Sequence, residues 1–164
     1  MDELQQQVYN ALEPVREVYS TLLQNAVLRT RLGKAGLTDS EWREIESLAI
    51  KGPDQPAYEL DIYALYSWIS TMLAFARALA TKVKPALKQE LSRTRPQATD
   101  SGRIALEMTA SNLDSNISVL VDRLSDLYIA VSRLDENRHG SEKALRASFH
   151  DLADSKTWQV GAGS

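Results

Sequence analysis

Residues 106–134 read LEMTASNLDSNISVLVDRLSDLYIAVSRL. Apolar side chains recur along this stretch at alternating spacings of four and three residues. They are Leu106, Ala110, Leu113, Ile117, Leu120, Leu124, Leu127, Val131 and Leu134. This spacing places one apolar stripe along an α-helix, and such a stripe packs against other helices. The stretch therefore predicts a long helix over about 100–138.

The same spacing predicts two more long helices upstream. One covers about 2–32, where an apolar stripe starts at Leu4, and the other covers about 57–93. Each contains a proline, Pro14 or Pro85, and an interior proline usually kinks a helix because it lacks an N–H donor. Helix 57–93 is apolar on one side and small on the other, which favours a central position with burial on more than one side.

Two shorter helices complete the prediction. Thr38 and Glu41 have the spacing of a capping box, so a helix is expected over about 39–51. A second short helix is expected over about 142–154, where Leu145, Phe149 and Leu152 supply the apolar positions. No stretch alternates with period two over a useful length, so no sheet is expected.

These patterns predict an all-α, elongated antiparallel helical bundle. Residues 1–160 are expected to form a single domain, with the glycine-rich 161–164 as a linker outside it. The 164-residue chain has no cysteine, which excludes disulfides, thiolate metal ligands and cysteine nucleophiles.

The sequence favours a soluble protein of the cytoplasm. Its N-terminus is acidic and polar, without the basic start and apolar run of a secretory signal. The longest uncharged run is the fifteen residues 62–76, shorter than the roughly 20 residues that span a bilayer. No membrane association is therefore predicted.

The formal net charge of −3 disfavours a protein that binds polyanions over its whole surface, but the charge is uneven. Residues 62–103 carry seven basic and only two acidic side chains. The basic stretch consists of Lys82, Lys84, Lys88, Arg93, Arg95 and Arg103. Lys84, Lys88 and Arg95 are expected to share one helix face, which would suit a polyanion such as RNA, DNA or an acidic protein. The alternative is that these cations favour the helix C-terminal dipole and solvate the surface.

Helix 57–93 also carries an aromatic cluster. Tyr66 and Phe75 are expected in the core, whereas Tyr63 and Trp68 project from other parts of the helix surface. Partly exposed Tyr and Trp side chains are common anchors of protein interfaces. Tyr63 and Trp68 are therefore candidate partner-binding residues, and the alternative is that another helix of the chain covers them.

Glu136 and His139 have the Glu-x-x-His spacing of di-iron bundles. Such a site needs two of these pairs and two further inward carboxylates, and the chain has only one pair. We therefore predict no metal site, and no motif for a cofactor or small-molecule substrate is present.

Five residues separate Arg133 from His139. This spacing is similar to the Arg-to-His spacing of the HEPN ribonucleases, small all-α proteins that act on RNA at a dimer cleft. The resemblance implies that His139 acts as general acid or base and that Arg133 stabilises developing phosphate charge. The chain departs from the family pattern, since Leu134 replaces the usual polar residue and the pair ends a helix. The resemblance covers seven residues, so we do not assign the family.

Three function hypotheses follow. The first is a non-catalytic helical bundle that binds a protein partner or itself, supported by clean apolar stripes and the missing catalytic motifs. The second is a small helical subunit of a nucleic-acid-binding complex that uses the basic stretch. The third is an HEPN-like ribonuclease.

Overall fold

A computed structural model describes residues 2–51, 62–93, 101–134 and 148–150. All the regular elements in these ranges are helical: α1 (Asp2–Val18), α2 (Ala26–Lys34), α3 (Asp39–Lys51), α4 (Ile62–Ala78), α5 (Lys84–Arg93) and α6 (Ser101–Leu134). Two π-helical turns, Tyr19–Leu23 and Leu79–Val83, follow α1 and α4. The predicted all-α helical bundle is confirmed.

Helix α6 is the central element of the bundle, a position that the sequence favoured for helix 57–93. It packs against α1 on one side and against α4 and α5 on the other, while α3 covers α4 and α2 covers α5. The predicted apolar stripe of α6 is buried from Leu106 to Val131, except that Ala110 is only partly buried. Leu134, the last predicted member, is exposed. At about 1.5 Å per residue, the 34 residues of α6 make a rod of roughly 50 Å.

Side-chain contacts fix α6 antiparallel to α4 and α5. The rings of Tyr66 and Tyr128 lie 6.3 Å apart between centroids. At the other end, Arg103 Nη1 donates to the carbonyl oxygen of Leu91 at 3.0 Å. Phe149, in the described residues 148–150, packs its ring 5.4 Å from that of Tyr128.

Helix α1 is also antiparallel to α6. Arg123 Nη1 donates to the carbonyl oxygen of Asn10 at 2.6 Å. Leu22, farther along the chain, lines the same small cavity as Thr109. Helices α1 and α4 therefore run in the same direction on the two sides of α6.

The predicted helix 2–32 is wrong in one respect, because it is two helices. Helix α1 continues through Pro14 and ends in a π-turn, in which the Gln24 N–H donates to the Tyr19 carbonyl at 3.0 Å. Asn25 then starts α2, since its side-chain oxygen accepts from the Leu28 N–H at 3.1 Å. Asparagine is a strong N-cap residue, and its amide here satisfies one of the free N–H groups of the new helix.

Helix α2 ends at Lys34, and Gly36 lies two residues beyond this end. Gly36 has a φ of +107°, a conformation that glycine adopts without a side-chain penalty. The Leu37 N–H donates to the Leu32 carbonyl at 3.0 Å, and the Gly36 N–H donates to the Gly33 carbonyl at 3.2 Å. These two bonds form a Schellman motif, with Leu32 and Leu37 both buried beneath it.

The predicted irregularity at Pro85 takes the form of the second π-turn. The Lys84 N–H donates to the Leu79 carbonyl, five residues back, directly before the proline. Such a turn accommodates a residue that has no N–H donor and whose ring crowds the preceding turn. Of the predicted helix 57–93, residues 57–61 lie outside the described residues.

The capping box before α3 is confirmed. Thr38 Oγ1 accepts from the Glu41 N–H at 3.2 Å, and Glu41 Oε1 accepts from the Thr38 N–H at 3.1 Å. The Glu41 carboxyl accepts hydrogen bonds from the Thr38 N–H and from the Thr38 hydroxyl, and these two bonds lower its pKa. Helix α3 spans Asp39–Lys51, in agreement with the predicted bounds.

Two predicted helix ends are described in part or not at all. Residues 148–150 of the predicted helix 142–154 are helical. Its remaining residues, together with 135–138 of the last long helix and the predicted linker 161–164, lie outside the described residues.

Candidate functional site

Lys84 of the basic stretch is buried in the bundle. Its side chain is 4% exposed, and its ammonium group donates to Asp114 Oδ1 of α6. Burial lowers the pKa of the Lys84 ammonium, and the hydrogen bond and negative charge of Asp114 offset part of that effect. The prediction that Lys84 shares an exposed face with Lys88 is therefore wrong, because the ion pair ties α5 to α6.

The neighbouring cations are engaged with carboxylates. Lys82 Nζ lies 3.6 Å from Glu44 Oε2 of α3 and 4.0 Å from Glu41 Oε2. Arg103 Nε lies 3.1 Å from Glu107 Oε1, one turn along α6. Lys88 is exposed, and Arg95 lies outside the described residues.

Arg93 belongs to a second junction, built on the buried Glu90. Arg93 Nη1 lies 3.1 Å from Glu90 Oε2, and Arg31 Nε of α2 lies 3.2 Å from Glu90 Oε1. Two guanidinium groups therefore compensate the charge of one buried carboxylate. The contact between Arg31 and Glu90 holds α2 against α5, whereas Arg93 pairs with Glu90 within α5.

The two aromatic candidates lie in different environments. Tyr63 is 63% exposed at the start of α4, as expected of an interface residue. Trp68 is 2% exposed, so the alternative holds for this residue, that other helices of the chain cover it. The physical reason is that α3 and α6 both cover α4, which buries several sides of this helix.

The ribonuclease-like pair is described only in part. Arg133 is exposed near the end of α6, whereas His139 and Glu136 lie outside the described residues. Within the described ranges, no cluster of three His, Asp or Glu side chains is placed to hold a metal ion.

An open polar groove of about 330 Å³ runs between α1 and α6. Glu13 and Glu17 line it from α1. The lining residues from α6 are Asn112, Ser115, Asn116, Val119 and Arg123. Arg123 also lies 3.3 Å from Glu13, so these two charges neutralise each other. The groove offers amide and carboxylate hydrogen-bonding groups, and its signal in the sequence is the set of polar residues that flank the apolar stripe of α6.

Neither the groove nor a second surface, the outer face of α6, was predicted from the sequence. The outer face lies opposite the buried stripe of α6. It consists of Ile104, Met108, Ser111, Ser115, Ser118, Val119, Asp122, Asp126, Ile129 and Arg133. Three of its large apolar side chains are exposed, Ile104 at 57%, Met108 at 60% and Ile129 at 44%. Spacings of four and three residues recur along this face, and that repeat is the signal by which the sequence could have revealed it.

Comparison with known proteins adds no functional assignment. No protein-family model, curated protein or solved structure matches this chain. Among the described residues, the helical segment 62–93 is long and apolar enough to cross a bilayer, by length and composition only. Half of its most apolar window is buried inside the bundle.

Proposed function

We propose that this chain is a non-catalytic helical bundle that serves protein interaction or assembly. The observation that carries the proposal is the set of large apolar side chains left exposed around a well-packed core. The set consists of Tyr9, Val27, Ile50, Tyr63, Ile104, Met108, Ile129 and Leu134. Four of them lie on α6, where Ile104 and Met108 are neighbours one turn apart. Adjoining apolar side chains that are exposed to water mark protein interaction sites.

The ion pairs support this proposal over the nucleic-acid alternative. Lys82, Lys84, Arg93 and Arg103 each have a carboxylate within 4.0 Å. A phosphate backbone would have to displace those carboxylates, with the largest cost at the buried Lys84. Lys82 therefore contributes to a contact with α3, and Lys84 and Arg103 contribute to contacts between α5 and α6.

The proposed place of action is the cytoplasm, on the sequence argument given above. The proposed ligand is a protein surface, either of another chain or of a second copy. Neither a cofactor nor a small-molecule substrate is part of the proposal.

Site-specific photo-crosslinking tests the proposal. A photoreactive phenylalanine analogue is introduced at Tyr63 or at Met108, both exposed, in cells that express the protein. We expect discrete protein adducts from at least one of these positions, because apolar side chains at an interface lie in van der Waals contact with the partner. The matched control is Gln89, an exposed polar position on α5, which should give none.

The adduct mass distinguishes the partners. An adduct of twice the chain mass indicates self-association, and an adduct of any other discrete mass indicates a different protein. The absence of adducts at both Tyr63 and Met108, under conditions where the analogue reacts with added peptide, would contradict the proposed function.

A further inference from the structure

The residues of the outer face of α6 are spaced symmetrically on the two sides of Ser118 and Val119. We infer that two copies of this chain associate through this face, with their α6 helices antiparallel about a two-fold axis beside Ser118 and Val119. The inference rests on the proposed function and names its partner as the same chain.

Two-fold symmetry fixes the register of such a pair. In an isologous interface, each contact between two different residues occurs twice, once on each side of the two-fold axis. When Ser118 lies opposite Val119, every other residue of the outer face also lies opposite a residue of the same face. The pairs are Ile104 with Arg133, Met108 with Ile129, Ser111 with Asp126, and Ser115 with Asp122.

Each of these pairs is chemically compatible. Met108 and Ile129 shield each other from water, at both ends of the contact. The hydroxyls of Ser111 and Ser115 are positioned to donate to the carboxylates of Asp126 and Asp122, and such charge-assisted bonds are stronger than neutral ones. The aliphatic part of Arg133 covers Ile104 while its guanidinium stays in water.

The charge pattern also favours this register. Asp122 and Asp126 have no ion pair within the described part of the chain. In the antiparallel register they face serines, so no like charges lie opposite each other. A parallel arrangement would place each aspartate beside its own copy, where like charges repel.

The size of the face predicts a reversible dimer. From Ile104 to Arg133 the face is about 44 Å long and roughly 10 Å wide, by helix geometry. It therefore buries on the order of 400 Å² per copy, about half the area of a standard stable interface. We expect monomers at low concentration and dimers at high concentration.

Complementary charges test the register. We expect Met108→Lys or Ile129→Glu alone to weaken the dimer by roughly tenfold or more, because each substitution appears twice and buries a charge against an apolar side chain. Mixing the two variants should restore association, since Lys at 108 of one copy then faces Glu at 129 of the other. The measurement is sedimentation equilibrium over a wide concentration range.

The matched control is Val27→Lys, an exposed apolar side chain on α2 that should leave the dimer unchanged. Circular dichroism melting verifies that all variants fold. The inference would be overturned by a wild-type chain that stays monomeric at every concentration, by variants that dimerise as well as wild type, or by a mixture that fails to recover. If the chain stays monomeric but forms photo-crosslinks to other proteins, the proposed function is supported and only the proposed dimer is contradicted.

Discussion

Trp68→Ala is expected to lower the free energy of unfolding by about 3–5 kcal/mol, the usual range for truncating a large buried aromatic side chain. Trp68 is 2% exposed between the covering helices of α4. Its removal costs the free energy of burying the indole and also leaves a cavity that the surrounding helices fill only in part. The measurement is urea denaturation followed by far-ultraviolet circular dichroism.

Tyr63→Ala provides the matched control, because Tyr63 lies five residues away on the same helix and is largely exposed. We expect this change to cost no more than about 0.5 kcal/mol, as is usual at the surface. Equal losses from the two variants would mean that the burial assigned to Trp68 is wrong.

Asp114→Asn is expected to destabilise the protein by about 2–3 kcal/mol at neutral pH. The substitution leaves the ammonium of Lys84, 4% exposed, without its carboxylate. Breaking a fully buried pair costs about 3–5 kcal/mol, and Asp114 is itself 30% exposed, so water compensates part of the loss.

The pH dependence gives a second readout of the same pair. Burial lowers the pKa of Lys84 in the folded chain, so the unfolded chain keeps this proton to higher pH and stability rises as the pH approaches the ordinary value of 10.5. The Asp114 carboxylate raises the pKa of Lys84, so this pKa is lower in Asp114→Asn than in wild type. The stability of the variant therefore rises with pH over a wider range than that of wild type. The deficit of Asp114→Asn should therefore shrink from neutral to alkaline pH.

A double variant tests whether the stability depends on the two charges themselves or on leaving one buried charge without its partner. Lys84→Met with Asp114→Leu replaces both charges by apolar groups and is expected within about 1 kcal/mol of wild type, or above it. The assigned role would fail if Asp114→Asn had wild-type stability, or if its deficit were the same at every pH.

The parts of the fold that were predictable depend on local chemistry. The apolar stripe of α6 and the capping box of Thr38 and Glu41 are signals within a few turns of one helix. Asn25 carries an equally local signal, but the apolar spacing continues past it, so periodicity alone gives one helix where there are two. Asn25 interrupts the helix and caps a new one, α2, which places Leu28 and Leu32 in the core.

The candidate sites were less predictable because they depend on contacts between helices. Counting cations in 62–103 gives no information about Asp114 of α6 or Glu44 of α3, which approach only in the folded chain. Lys84 did carry a signal, since it lies four residues after Ala80 and three before Leu87, in the row of buried apolar residues. The burial of Trp68 could not be predicted for the same reason, because the sequence does not show how many helices cover α4.

Single introduced cysteines test the proposed contact through the outer face of α6. The chain has no cysteine of its own, so any disulfide must form at the introduced position. A disulfide requires Cα atoms within roughly 7 Å. We expect Val119→Cys, beside the two-fold axis, to give a disulfide-linked dimer under mild oxidation. Ile104→Cys alone should stay monomeric, since the two copies of this position are about 44 Å apart along the antiparallel helices. Cross-linking of Ile104→Cys as readily as Val119→Cys, or a monomeric Val119→Cys, would contradict the proposed antiparallel dimer.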